Sequence, residues 1–303
     1  MTDGVKWLKA AIVPAAYLII SLWSVGGFAQ EGASSATDDH GRKFWPSLIA
    51  QAKASGLPTQ FLIAMDPGFV TLEFDDLHAF AAEYHPEEHH LILNRSLSFN
   101  GAGGALKPLT RLTPRELGTL FHELFHAYMD YISISDPKNI DPMSVRLLEF
   151  ARDRQQCLYQ QVSITPIMQR KTRTEVRFLT ERESWEVLNE TWAVFVGWAI
   201  WTKLEAHRGA ESPAKQDFWS KRLKKADQDG DLIGYYEPEN NAERSIARKR
   251  YLSPSHRITP EEVKQLLEVI LEFSLEDAYR SIKRMKQNRI SLPGSVPCHE
   301  GTK

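Results

Sequence analysis

The stretch GTLFHELFHAYMDYI, residues 118–132, is apolar or aromatic at most positions, yet it contains His122, Glu123 and His126. Two residues four positions apart lie on the same face of an α-helix, so a helix would point both imidazoles in one direction. Burying two imidazoles and a carboxylate costs free energy unless they are paired or coordinate an ion. This stretch therefore predicts a buried helix that carries a metal site.

The residues just before this stretch have the pattern of a helix start. Thr113 is suited to cap a helix, Pro114 suits its first turn, and Glu116 completes a capping box. We therefore expect a helix from Pro114 to about Ile132. A hairpin is predicted before it, at 79–97, and further helices after it, at 143–161, 182–206, 213–226, 242–251 and 260–287.

The spacing His-Glu-x-x-His is typical of zinc sites that hydrolyse amide bonds. His122 and His126 can both reach one Zn²⁺ ion at about 2.0–2.1 Å. Glu123 lies beside His122, where a carboxylate can accept a proton from a water that the ion activates. The same spacing also arises by chance, and a packed pair of histidines without a metal is the alternative interpretation.

A catalytic zinc needs a third protein ligand and an open position for water. The zincins with a third histidine require glycine three residues and histidine six residues after the second histidine. Met129 and Ile132 occupy those positions, so this branch is excluded. Glu190, Glu186 and Asp130 are the candidates for the third ligand.

A second apolar helix is predicted in ERESWEVLNETWAVFVGWAIW, residues 181–201, which places Glu186 and Glu190 one turn apart. Gly197 lies two turns after Glu190 on the same face, where it would allow close approach to another helix. HELFH followed by LNETWAVF resembles the thermolysin-type zincins, the gluzincins. In that family the glutamate of an Asn-Glu pair on the next major helix is the third ligand, and Asn189-Glu190 matches this pair.

The resemblance implies a peptidase with His122, His126 and Glu190 as zinc ligands and Glu123 as the general base. It also implies a zincin-like α+β fold, with a small N-terminal sheet and the active-site helix followed by a mostly helical C-terminal lobe. The strand at 90–96 would be the sheet edge that pairs with an extended substrate.

Some positions depart from the gluzincin pattern or leave a role open. Val194 stands where the family has an aspartate that orients a zinc histidine, so Asp130 or Glu186 would take that role. The chain between His126 and Glu190 is longer than in thermolysin and would shape or cover the cleft. The family's oxyanion donor is a tyrosine or histidine downstream of the third ligand, and the candidates here are His207, Tyr235, Tyr236 and Tyr251.

The amino-terminal pattern predicts export. Two lysines precede an apolar run from Ala10 to Ala29, and Gly27 and Ala29 supply small residues for signal-peptidase cleavage. The alternative is a retained membrane anchor, which would be the protein's only contact with a membrane. We therefore expect a secreted or periplasmic protein. The predicted segments are a signal peptide or anchor (1–29), a flexible linker (30–42), the N-terminal zincin lobe (43–135), the helical lobe (136–290) and a tail (291–303).

The composition is that of an ordinary globular protein, with a formal net charge of −2 that offers nucleic acid no general basic field. The basic clusters KRLKK (221–225) and RKR (248–250) are interpreted as solvated helix faces. Cys157 and Cys298 either form a disulfide or remain free thiols.

These patterns together predict a zinc metallopeptidase that acts on a peptide or protein substrate. The alternative function is a catalytically inactive zinc-binding or scaffold module of zincin fold.

Overall fold

The computed structural model describes residues 34–78, 81–99, 105–166, 173–208 and 218–282. Helices and small sheets both occur, which confirms the α+β prediction. The helices are α1 (Ser34–Ala54), α2 (Gln60–Ala64), α3 (Pro114–Ile134), α4 (Pro142–Arg154), α5 (Glu181–Arg208), α6 (Phe218–Asp229), α7 (Asn241–Ile246), α8 (Pro260–Val269) and α9 (Leu275–Ile282). The strands are β1 (Thr71–Asp75), β2 (Ala82–His85), β3 (His90–Asn94), β4 (Gln161–Ile164), β5 (Glu175–Phe178), β6 (Tyr235–Tyr236) and β7 (Arg250–Tyr251).

The helix α3 carries the His-Glu-x-x-His residues and begins as predicted. The Thr113 Oγ1 accepts a hydrogen bond from the backbone N–H of Glu116 at 3.2 Å, and the Glu116 carboxylate accepts one from the N–H of Thr113 at 2.6 Å. This capping box satisfies two of the backbone N–H groups that every helix start leaves unpaired. The helix is then buried along most of its length, so its histidines are held in the interior.

The three-stranded sheet has the order β1-β3-β2, with β1 parallel and β2 antiparallel to β3. The predicted hairpin of β2 and β3 is confirmed, but the prediction that the strand at 90–96 lies at the sheet edge is wrong. Because β1 and β2 pair with its two sides, β3 is central. The strand at the edge next to α3 is β2.

The helices α3 and α5 cross at two glycines. A Cβ atom on Gly118 would lie 2.9 Å from the carbonyl oxygen of Gly197, and a Cβ on Gly197 would lie 2.9 Å from that of Gly118. The two backbones are therefore in direct contact, as predicted for Gly197. Gly118 lies one turn before His122, and Gly197 lies two turns after Glu190. Because the two glycines are in contact and His122 is also close to Glu190, the helices are antiparallel, and the side chains of His122 and Glu190 lie between them.

Several predicted helices are shorter than expected. The helix expected at 143–161 ends at Arg154, continues as a π-helical turn and then enters β4, which pairs with β5. The helix expected at 242–251 ends at Ile246, after which β7 pairs with β6. The helix expected at 260–287 breaks after Val269, where Glu272 adopts a positive φ of 58°. In each case tertiary pairing or a turn residue overrides helical periodicity.

The N-terminal part of the chain differs from the prediction in one respect and lies largely outside the described residues. Helix α1 begins at Ser34, within the predicted linker. The proposed signal segment 1–29 is not among the described residues. Within the part of the chain that is described, no helix is both long and apolar enough to cross a membrane. Cys157 is disulfide-bonded, and the other cysteine of the sequence, Cys298, is outside the described residues.

Candidate metal centre

Three side chains from α3 and α5 bring their ligand atoms close together. The Nε2 atoms of His122 and His126 are 3.1 Å apart. The Glu190 carboxylate places Oε2 3.6 Å from Nε2 of His122 and Oε1 3.4 Å from Nε2 of His126. Two ligand atoms that are each about 2.05 Å from a tetrahedral ion lie about 3.3 Å apart. The three side chains therefore have the spacing of a single tetrahedral coordination shell.

The Glu190 carboxylate has one oxygen that no described residue satisfies. Its Oε2 is buried and has no hydrogen-bond partner among the described residues. A buried carboxylate oxygen is costly unless it is paired or coordinates an ion. The residues present therefore fit a cation, which would bind this oxygen together with the two imidazoles.

Glu123 lies beside the cluster formed by the side chains of His122, His126 and Glu190. One ligand atom from each of His122, Glu123 and His126 lies within 4.8 Å of the others, so these three can hold a metal ion. The Oε1 of Glu123 is 3.8 Å from Nε2 of His122, which is farther than either contact of Glu190 with the imidazoles. Its Oε2 accepts a hydrogen bond from the backbone N–H of Tyr84 in β2 at 3.0 Å. Glu123 is therefore anchored to the edge strand, next to the imidazoles.

Burial and mutual charge shift the pKa values of all four groups. Burial and the neighbouring His126 lower the pKa of His122 to about 4. Burial raises the pKa of Glu123 to about 7. Burial opposes charge on both His126 and Glu190, yet their attraction outweighs it, raising the pKa of His126 and lowering that of Glu190. The attraction that holds a proton on His126 also favours a divalent cation here.

Each of the two histidines has a second ring nitrogen that faces away from the cluster, and each of these nitrogens has a neighbour on α5. The backbone carbonyl of Ala193 is the neighbour of the His122 ring. The side chain of Asn189 is the corresponding neighbour of His126, although its Oδ1 lies outside normal hydrogen-bond geometry. Such partners fix the tautomer and direction of a metal-binding imidazole. The carbonyl of Ala193 is thus the neighbour of His122, where the sequence predicted the carboxylate of Asp130 or Glu186.

The two predicted orienting carboxylates bind elsewhere. Asp130 accepts a hydrogen bond from the Tyr84 hydroxyl at 2.6 Å and lies 2.8 Å from Nδ1 of His89. It thereby holds β2 against α3. Glu186 accepts a hydrogen bond from the backbone N–H of Glu237 at 2.9 Å. The structure therefore places both carboxylates as anchors of neighbouring segments rather than as partners of a histidine ligand.

The ribbon of β6 and β7 forms a wall of the cluster. Gly234 lies so close to α5 that a Cβ there would be 2.1 Å from the Thr191 Oγ1. The next residue, Tyr235, lies beside the Glu190 carboxylate. Burial first, and then the negative charge of that carboxylate, raise the pKa of the Tyr235 phenol. Tyr236 points the other way and is buried beside Arg177. Of the predicted oxyanion donors, Tyr235 and Tyr251 therefore lie at this wall, with ring centres 5.6 Å apart. Burial first, and then the charge of Glu190, raise the pKa of Tyr251 as well. The His207 side chain is outside the described part.

Lys249 is a site residue that the sequence interpretation missed. Its Nζ donates a hydrogen bond to the Tyr235 hydroxyl at 2.7 Å. The RKR cluster is not a solvated helix face, because these residues lead into β7 and alternate in direction. Arg248 pairs with Glu237, and Arg250 is buried against Glu175. The stretch RKRYL shows no alternation of polar and apolar residues, so the sequence carries no signal that would have identified this strand.

Comparison with known proteins identifies no relative of this chain. The chain matches no protein-family model, no curated protein and no solved structure. The fold and site therefore define the chain as an α+β protein with a His-Glu-x-x-His helix whose side chains can hold a metal ion.

Proposed function

We propose that this chain is a zinc-dependent peptidase in which His122, His126 and Glu190 bind the ion and Glu123 is the general base. The observation that supports it most is the convergence of the Glu190 carboxylate with both imidazole Nε2 atoms. A chance His-Glu-x-x-His sequence gives no reason for a carboxylate of another helix to meet both histidines. The gluzincin resemblance of Asn189-Glu190 points to the same residue independently of the geometry.

The ligand chemistry favours zinc over harder cations. Two imidazole nitrogens and one carboxylate are a common catalytic zinc set, whereas calcium and magnesium prefer oxygen ligands throughout. When bound, zinc polarises a carbonyl and lowers the pKa of a coordinated water to about 7.

The protein's own groups would carry the proton. Glu123 accepts a proton from the attacking water and delivers it to the leaving amine nitrogen. The hydrogen bond from the Tyr84 N–H holds Oε2 of Glu123 on the β2 side, which leaves Oε1, on the side of His122, for this transfer. The Tyr235 hydroxyl donates a hydrogen bond to the carbonyl oxygen as negative charge develops there.

An extended peptide is the substrate shape that suits this arrangement. Strand β2 pairs with β3 along one side, and its other side faces α3, where the Tyr84 N–H reaches Glu123. A peptide aligned along this edge would be bound by main-chain hydrogen bonds and would pass beside the cluster. This assigns to β2 the role that was expected of the strand at 90–96.

A catalytically inactive zinc-binding module is the second candidate. The observation that favours it is Val194, which removes the acidic partner that gluzincins place beside a zinc histidine. A neutral carbonyl partner, such as that of Ala193, makes the imidazole less basic than a carboxylate partner would. Zinc binding without turnover would support this candidate.

The test uses the purified full chain, a quenched-peptide library and zinc analysis. The wild-type protein is expected to bind one equivalent of zinc and cleave peptides, and a chelator should stop cleavage reversibly. Glu123→Gln should retain zinc and lose cleavage, because it keeps the shape of the side chain without a basic carboxylate. Unchanged cleavage by Glu123→Gln would rule out the mechanism, and a zinc-loaded wild type that cleaves no peptide would favour the inactive module.

A further inference from the structure

Lys249 lies next to the candidate metal centre and contacts one of its residues twice. Its Nζ is 2.7 Å from the Tyr235 hydroxyl and 4.0 Å from the centre of the Tyr235 ring. The ammonium group therefore lies against a residue in the wall of the candidate metal centre.

The chemistry of the Lys249 ammonium and the Tyr235 hydroxyl fixes the direction of the hydrogen bond between them. A lysine ammonium has three donors and no acceptor, so Lys249 donates and the Tyr235 oxygen accepts. The single hydroxyl proton of Tyr235 must then point to another acceptor. The negative charge of the nearby Glu190 carboxylate attracts this proton. Lys249 thus directs the Tyr235 O–H toward the ligand cluster.

The backbone on the β6 side holds this arrangement in place. Close packing of Gly234 on Thr191 fixes the start of β6 against α5. The N–H groups of Glu237 and Glu239 then donate to the carboxylates of Glu186 and Glu183 at 2.9 and 3.0 Å. Tyr235 is therefore attached to the same helix that carries Glu190, and the hydroxyl direction is the remaining freedom that Lys249 removes.

We propose that Lys249 is a positioning residue that holds the Tyr235 hydroxyl as a hydrogen-bond donor facing the scissile carbonyl group of the substrate. This inference rests on the proposed peptidase function and assigns the oxyanion-binding pair of that reaction. A preorganised donor whose direction is already set stabilises developing charge without reorganisation during the reaction. Lys249 itself acts through Tyr235 and does not need to touch the substrate.

The test is a double-mutant cycle with Lys249→Met and Tyr235→Phe, measured as kcat and KM on a peptide that the wild type cleaves. Tyr235→Phe should lower kcat by about 10²–10³-fold. Lys249→Met should lower kcat by about 10–100-fold with little change in KM. The double variant should be no slower than Tyr235→Phe within about twofold, because Lys249 acts through the lost hydroxyl. Lys249→Arg, which keeps the donor, should recover part of the loss.

A binding measurement supplies a readout other than turnover. Calorimetry with a phosphonamidate dipeptide, a tetrahedral analogue of the transition state, should show about 10–100-fold weaker binding for Lys249→Met. Zinc content and the thermal unfolding midpoint of each variant show whether it is folded, and Lys249→Gln replaces Lys249→Met if the latter is not. Arg248→Met removes the same charge one residue away and should leave every value unchanged.

Two results separate the failure of this inference from that of the peptidase proposal. If Lys249→Met lowers kcat by the same factor in the wild type and in Tyr235→Phe, or raises KM without lowering kcat, Lys249 acts on the substrate directly. The inference is then wrong, while the peptidase proposal stands. If the wild type cleaves no peptide, the proposed function fails and the inference fails with it.

Discussion

At the scale of the residue, Glu190 supplies the carboxylate that completes the candidate site. The two histidines follow from sequence because residues four apart share a helix face. The choice of Glu190 over Glu186 was open in the sequence, since both lie on the same predicted helix one turn apart. The structure separates them, because Glu190 faces the imidazoles and Glu186 binds the backbone of Glu237.

Glu190→Gln is expected to weaken zinc binding by about 100-fold or more, because it removes a charged ligand that meets both imidazoles. Competition with a calibrated zinc chelator measures the affinity. Glu186→Gln is the matched control, with the same change one turn away, and should keep the wild-type affinity. Loss of zinc in the Glu186 variant but not in the Glu190 variant would contradict the ligand assignment.

At the scale of the element, the crossing of α3 and α5 positions the site. The contact of Gly118 with Gly197 brings the helix axes close enough for side chains of both helices to share one ion. A Cβ on Gly197 would also lie 3.2 Å from the Cβ of His122. The position of this ligand therefore depends directly on the absence of a side chain at Gly197.

Gly197→Ala is expected to lower the free energy of unfolding by about 1–3 kcal/mol, because the added methyl group forces two backbones apart. Urea denaturation measures this change, and zinc affinity should fall with it. Gly68→Ala is the control, since its new Cβ would meet Asp66 at an ordinary 3.5 Å. Wild-type stability and zinc affinity in Gly197→Ala would show that the close crossing is not required.

Gly234→Ala tests how the β6 strand positions Tyr235. Its added Cβ would lie 2.1 Å from the Thr191 Oγ1 and 3.0 Å from the Thr191 Cα, so β6 must move away from α5. We expect peptide cleavage to fall by at least about tenfold, because displacing a donor near the reacting atoms is costly. Zinc affinity, measured by chelator competition, should change much less. Equal losses of cleavage and zinc affinity would show that the strand supports the ligands rather than Tyr235.

The sequence predicted the elements built from local contacts and missed those built from distant pairing. Helix α3 was predictable because its capping box and apolar periodicity are local. The β6 and β7 strands contain two residues each, too few to show a period, and they form by pairing across the chain. Lys249 was missed for that reason. The carbonyl of Ala193 and the N–H of Tyr84 are backbone atoms, whose roles no side-chain pattern reveals.

At the scale of the whole molecule, the candidate site lies within the main hydrophobic cluster. Buried residues of this cluster extend from Trp45 in α1 to Ala278 in α9 and include both sides of the α3–α5 crossing. An ion bound between these two helices would connect residues that are more than sixty positions apart in the sequence, as 122 and 190 are. Zinc binding should therefore stabilise the fold as a whole.

Zinc at 100 times its dissociation constant is expected to stabilise the native state by about 2.7 kcal/mol. Thermal unfolding of the full chain, with and without zinc, measures this gain, and magnesium at the same concentration should give none. His126→Ala should abolish the zinc-dependent gain because it removes a ligand. A zinc effect that persists in this variant would show that the ion binds elsewhere.

The most direct test of the account is anomalous diffraction at the zinc absorption edge from crystals of the zinc-loaded protein. The proposed ligand set predicts one strong peak at about 2.0–2.2 Å from Nε2 of His122, Nε2 of His126 and a carboxylate oxygen of Glu190. A peak bound to other residues, or a Glu190 carboxylate turned away from the two imidazoles, would contradict it.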